Sequence, residues 1–147
     1  PYFRLPLGPK DDAGDCRISV PARKYWELVD LLPTGTRYNV AGDRDLRGGV
    51  AFSEMHFDDV FSDLEKDGDD YVARIEDPAN ERVVELLFDA SFRECVIYNP
   101  PHREAVCIEP YTCVPDAFAL GEQSLDTGLR VLGPEQSATV RFSIRAS

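Results

Sequence analysis

The hydrophobic positions of this chain recur mostly at every second residue, in short runs, rather than at helical spacing. The clearest run is SATVRFSIRAS (137–147), where Ala138, Val140, Phe142 and Ile144 share one face and Thr139, Arg141 and Ser143 the other. It predicts a half-buried antiparallel strand that closes the domain. YVARIE (71–76) alternates in the same way, with Val72 and Arg74 opposite Ala73 and Ile75. ERVVELLFDA (81–90) is more continuously apolar and predicts a strand covered on both faces. ECVIYN (94–99) and EAVCIEP (104–110) predict two more, joined across the rigid proline turn PPHR.

CRISVP (16–21) predicts a further short strand. RKYWELVDLL (23–32) is ambiguous, because Tyr25, Leu28, Val29 and Leu32 also fit a helical stripe. LLPTGT (31–36) predicts a turn, with Pro33 pre-set for it and Gly35 free to take positive φ. KDDAGD, AGDRDLRGG and EKDGDD, at 10–15, 41–49 and 65–70, are acidic, glycine-bearing and spaced like solvated loops. No repeat or linker divides the chain. The expectation is one all-β domain over residues 1–147, built as a sandwich of many short strands.

Composition narrows the function. With 147 residues and 43% hydrophobic side chains, one ordinary core can form. A net charge of −11 repels phosphate backbones and anionic membranes, which speaks against nucleic acid and lipid partners. An uncharged ligand such as a sugar is compatible with it. No apolar run approaches the ~18 residues of a spanning helix. Cys16, Cys95, Cys107 and Cys113 follow no CxxC pattern, and with only His56 and His102 beside them they make no zinc signature. They are expected to be reduced thiols of a cytoplasmic protein; a Cys107–Cys113 bridge is the alternative if the protein is exported.

Among the many carboxylates, two contexts stand out. Glu109 ends the apolar run AVCI and precedes Pro110, which cannot donate to a sheet ladder and so ends or edges a strand. An acid there, beside Tyr111 and Thr112, is where a cleft-lining general base would stand, unless it simply points to solvent. Asp58 and Asp59 lie in MHFDDVF; alternation turns Asp59 with Phe57 to one side and Asp58 to the other, so one of the pair faces a site. His56 adjoins them and could contact a ligand, whereas His102 reads as an exposed loop histidine. Trp26 and the tyrosines could stack on sugar rings, although most aromatics of a β domain belong to its core. GxSxG and phosphate-cradling glycine motifs are lacking.

Several stretches, taken in order, resemble the aldose 1-epimerase (galactose mutarotase-like) family. EAVCIEPYTCVPDAFAL (104–120) resembles its C-terminal segment, in which a glutamate before P-x-T and a P-D-A-like turn is the catalytic base. LLPTG resembles the family's L-I-P-T-G, and DTGLRVLGPEQSATVRFSI its closing pattern. HFDDVF aligns Asp58 with a substrate-binding aspartate. PYFRL resembles the stretch that directly follows a catalytic histidine.

The resemblance implies a β-supersandwich of about twice this length, of which this chain would be the C-terminal half, with the acid histidine immediately before Pro1. It implies general acid/base ring opening of a free, hexose-like sugar, with no cofactor and no metal. Glu109 would be the base, and Asp58, Asp59, His56, Tyr111 and Tyr2 would contact the substrate. The partner would be the missing N-terminal half or a second copy. Two departures leave hexose specificity open: Asp59 replaces the family's histidine, and a glutamine some members carry has no counterpart near Phe92. A non-catalytic carbohydrate-binding or regulatory module on the same fold is the other reading of these residues.

Overall fold

A computed structural model describes residues 1–9 and 13–147; the first half of the acidic loop predicted at 10–15 therefore lies outside the described residues. In chain order the strands are β1 (Tyr2–Arg4), β2 (Arg17–Ser19), β3 (Ala22–Val29), β4 (Leu32–Asn39), β5 (Val50–Ala51) and β6 (Asp58–Leu64). They continue as β7 (Tyr71–Asp77), β8 (Arg82–Phe88), β9 (Glu94–Tyr98), β10 (Ala105–Tyr111) and β11 (Phe142–Ala146), with one short helix, α1 (Ala117–Glu122), among the described residues. No described helix is long and apolar enough to cross a membrane.

The strands form two antiparallel sheets, in the orders β1-β10-β9-β6-β3-β4 and β11-β8-β7-β2-β5. Alternation decides which side chains meet between them. Phe61, Cys95, Ile97, Val106 and Ile108 of the first sheet pack on Ile18, Ala73, Ile75, Leu86 and Phe88 of the second. Phe57 and Phe61 meet edge to face at 5.7 Å within this core. The predicted alternation of β7 holds, with Ala73 and Ile75 inside. Of β8, only the C-terminal end is buried on both faces, at Leu86, Leu87 and Phe88.

The ambiguous segment 23–32 is a strand followed by a turn. Of its helix-like stripe, Tyr25 packs on the sandwich core and Leu28 joins Trp26 in a second apolar cluster outside it, while Val29 and Leu32 are 60% and 53% exposed around the turn. The turn predicted at Pro33 lies two residues earlier. Asp30 and Leu31, with φ of 50° and 66°, make the β3–β4 connection, and Pro33 sits inside β4 opposite Leu28. Gly35 does take a positive φ, of 97°, but in a bulge between the Trp26–Arg37 and Leu28–Pro33 pairs rather than in a hairpin loop.

The closing strand is correct in place and shorter than expected. It begins at Phe142 and pairs with β8, yet Val140, Phe142 and Ile144 are 42%, 56% and 49% exposed. Phe142 stands opposite Phe88 and Ile144 opposite Leu86, so they carry the core face out to an uncovered sheet edge. The PPHR turn joins β9 to β10 as predicted. Its Arg103 donates to the carbonyls of Phe52 (2.7 Å) and Met55 and lies over the Phe52 ring at 4.8 Å.

Candidate functional site

The site is built on the outer face of the six-stranded sheet, the face turned away from the sandwich core. Val106 and Ile108 of β10 point into the core, so Cys107, Glu109 and Tyr111 project outward. Phe57, just before β6, and Phe61 within it point inward, and Asp58 points outward. Register brings these positions into rows: Asp58 is opposite Tyr98, Tyr98 opposite Cys107, and Cys107 opposite Tyr2. Glu109 lies one step along β10, opposite Val96.

A second layer covers part of this face. Val114, Ala117 and Leu120, the last two from α1, pack over Trp26, Val60 and Val96. Asp58, Tyr98, Glu109 and Tyr2 lie beside that cover. Glu109 is half-buried, and the Tyr111 hydroxyl donates to its Oε2 at 3.0 Å. It also lines a cleft of about 420 Å³ with Pro1, Phe92, Pro110, Val140 and Phe142, at the side where β1 and β11 are open edges.

Cys107 occupies the floor beside Glu109. Burial pushes its thiol pKa up, and the carboxylates of Glu109 and Asp58 push it further. Opposing a thiolate is what two nearby negative charges do. All four cysteines are free.

At the rim, Tyr2 and His102 form a pair, with Tyr2 Oη 3.0 Å from His102 Nε2. His102 Nδ1 accepts from the Glu104 N–H at 3.0 Å, so in the neutral ring Nε2 carries the proton and donates to Tyr2. His102, read from sequence as a bare loop histidine, is exposed but orients this tyrosine.

The other predicted residues divide. His56 is exposed in the loop before β6, next to Phe57, which exchanges hydrogen bonds with Asn99 (3.1 and 2.9 Å). Asp59 is not brought to Glu109. It turns to the opposite face and pairs with Arg44 at 3.4 Å, and Arg44 lies over the Tyr25 ring at 4.9 Å. Burial raises the Asp59 pKa, with Arg44 opposing the shift. The flanking phenylalanines explain this placement, since burying both of them commits Asp59 to their side.

Sequence reasoning passed over Glu94. This carboxyl is 3% exposed, accepts the Trp26 indole N–H at 3.0 Å, and is pushed by burial up to about 7. Its place at the head of β9, with a polar residue before it, carries no local sign of burial. Among the described residues, no group of three or more His, Cys, Asp or Glu side chains is arranged to hold a metal ion.

Comparison with known proteins gives the family and the fold. The family model for aldose 1-epimerases matches residues 1–145. The solved structure of a galactose mutarotase-like protein from Clostridium acetobutylicum superposes with a TM-score of 0.86 at 24% identity, over 99% of this chain and 45% of that one. The present chain thus spans less than half the length of that protein, and its two antiparallel sheets match a galactose mutarotase-like β-sandwich. On the family match over nearly its whole length, this chain belongs to the aldose 1-epimerase family.

Proposed function

We propose that this chain carries the base-bearing part of an aldose 1-epimerase that interconverts the α and β anomers of a free, hexose-like sugar. The carrying observation is the shared open face on which Glu109 and Asp58 stand, with Tyr98 and Cys107 between their strands in register and Tyr2 beyond on β1. Glu109 takes the proton of the anomeric hydroxyl while an acid protonates the ring oxygen. The opened carbonyl end rotates and recloses on its other face. Asp58 accepts hydrogen bonds from sugar hydroxyls, and Tyr2 and His56 border the same space.

Register supports a place for the acid. Tyr2 is opposite Cys107, and the Ile108 N–H donates to the Pro1 carbonyl at 3.0 Å. Antiparallel pairing continued by one step sets a residue joined to Pro1 opposite Glu109. A histidine there would face the base across the sugar.

The open edge takes the rest of a family-length domain. Val140, Phe142 and Ile144 form an apolar margin beside the unpaired edges of β1 and β11. Such edges are covered by further strands in a stable protein. The occupant is polypeptide equivalent to the part of the C. acetobutylicum protein that this chain does not match, rather than a second copy of the same segment.

Polarimetry of freshly dissolved α-D-glucose and α-D-galactose with the full-length protein tests the reading. Catalysed equilibration is expected, and Glu109→Gln should slow it by about 10²–10⁴-fold. An unchanged rate in that variant removes Glu109 as the base. Sugar binding without any catalysed equilibration would instead identify a carbohydrate-binding module.

A further inference from the structure

Residues two apart on a strand point to the same side, and β10 uses this to set Tyr111 beside Glu109. Pro110 between them fixes its own φ and stiffens the connection. The Tyr111 hydroxyl donates to Glu109 Oε2 at 3.0 Å, although the ring is 37% exposed and other directions are open to it. We propose that Tyr111 is a positioning residue for Glu109, its hydroxyl holding the carboxylate toward the open face. This inference rests on the reading of Glu109 as the base.

The direction of the hydrogen bond is set by the phenol. Burial, the hydrogen bond and the Glu109 charge all raise the Tyr111 pKa, so the oxygen keeps its proton and the carboxylate accepts it. An ionised carboxylate has about four lone-pair sites, so this bond leaves capacity to take a substrate proton. The other groups around Glu109 act in both senses. On β10 the Cys107 thiol is neutral; from β6 Asp58 faces the same side, and from β9 Glu94, opposite Tyr111, is buried and holds its proton to about 7. From β1, Tyr2 is neutral and the Pro1 nitrogen is cationic only as a free amino terminus. Phe92, Val140 and Phe142 bring no charge.

The test is the titration of Glu109 itself in the full-length protein. With glutamate labelled by ¹³C at the side-chain carboxyl, the Glu109 resonance is the one missing from Glu109→Gln. Tyr111→Phe removes only this donor and should raise its midpoint. Replacing Tyr111 by 3-fluorotyrosine, whose more acidic hydroxyl is a stronger donor, should lower it. The acidic limb of kcat/KM for mutarotation should move by the same amounts. Midpoints that stay in place in both variants overturn the proposal, as does an even fall in kcat/KM with no change of pH profile. If the resonance shifts as expected while Glu109→Gln retains full mutarotation, the hydrogen bond stands and the base assignment fails.

Discussion

The indole N–H of Trp26 donates to Glu94 Oε2 across 3.0 Å in the layer under α1, linking two strands that lie 68 residues apart in the chain. Arg37 lies over the same indole at 5.0 Å and reaches Ser62 Oγ at 3.3 Å. Glu94 is thus a carboxyl with polar neighbours in a setting too dry for its charge. Burial dominates, and the Trp26, Ser62 and arginine interactions restrain the shift.

This predicts a stability that falls as pH rises from about 4.5 to about 7. Unfolded, Glu94 ionises near 4.5; folded, it holds its proton to about 7. Between those values the folded state binds more protons, so its contribution is fully present below 4.5 and is lost by pH 7 and above. The difference is on the order of 3 kcal/mol. Glu94→Gln keeps an acceptor for the indole and has no charge to bury, so its Tm at pH 8 should exceed the wild type's. Equal Tm values at pH 8 would contradict the assignment.

Because Trp26 is the single tryptophan, its fluorescence reports on this contact. Emission should titrate with a midpoint near 7, and Glu94→Gln should abolish the transition. A midpoint unchanged in that variant would assign the signal to another group.

Asp58 and Asp59 should separate cleanly. Asp58→Asn, at an exposed position, should leave stability within about 0.5 kcal/mol and raise KM for the sugar about tenfold or more. Asp59→Asn removes the partner of Arg44, whose Nε is already buried without a hydrogen bond, and should cost about 1–3 kcal/mol in denaturant unfolding. The reverse pattern would mean that the face assignment of β6 is wrong.

Gly128 holds the segment that covers Trp26. Its φ is +75°, and a Cβ there would stand 2.9 Å from the Thr112 carbonyl oxygen and 2.7 Å from Arg93 Cδ. Arg93 is paired in bidentate fashion with Asp126, at 2.7 and 2.8 Å. Gly128→Ala should destabilise by about 1–3 kcal/mol and red-shift Trp26 emission as the cover loosens. Unaltered emission and stability would show that the backbone there shifts freely.

The outward placement of Cys107, Glu109 and Tyr111 together, and the opposition of Asp58 to Asp59, were legible along the chain. Alternation is a local property, fixed by pleating over two residues, and needs no partner strand to be read. The same rule located β7 and the closing strand, whereas β9 and β10 were read from their short apolar runs on either side of the PPHR turn. It faltered at 23–32, where apolar residues on both faces of β3 imitated a helical stripe and the proline looked more decisive than Asp30 and Leu31.

By itself, then, the sequence determined an all-β chain, its family, and the residues that share a face on each strand. The tertiary structure alone decided which strands lie side by side, and so set Tyr98 and Cys107 between Asp58 and Tyr2. It also decided that His102 reaches Tyr2 and that Glu94 is buried against Trp26. These are pairings between residues tens of positions apart, whose register and burial arise only when the sheets assemble and exclude water.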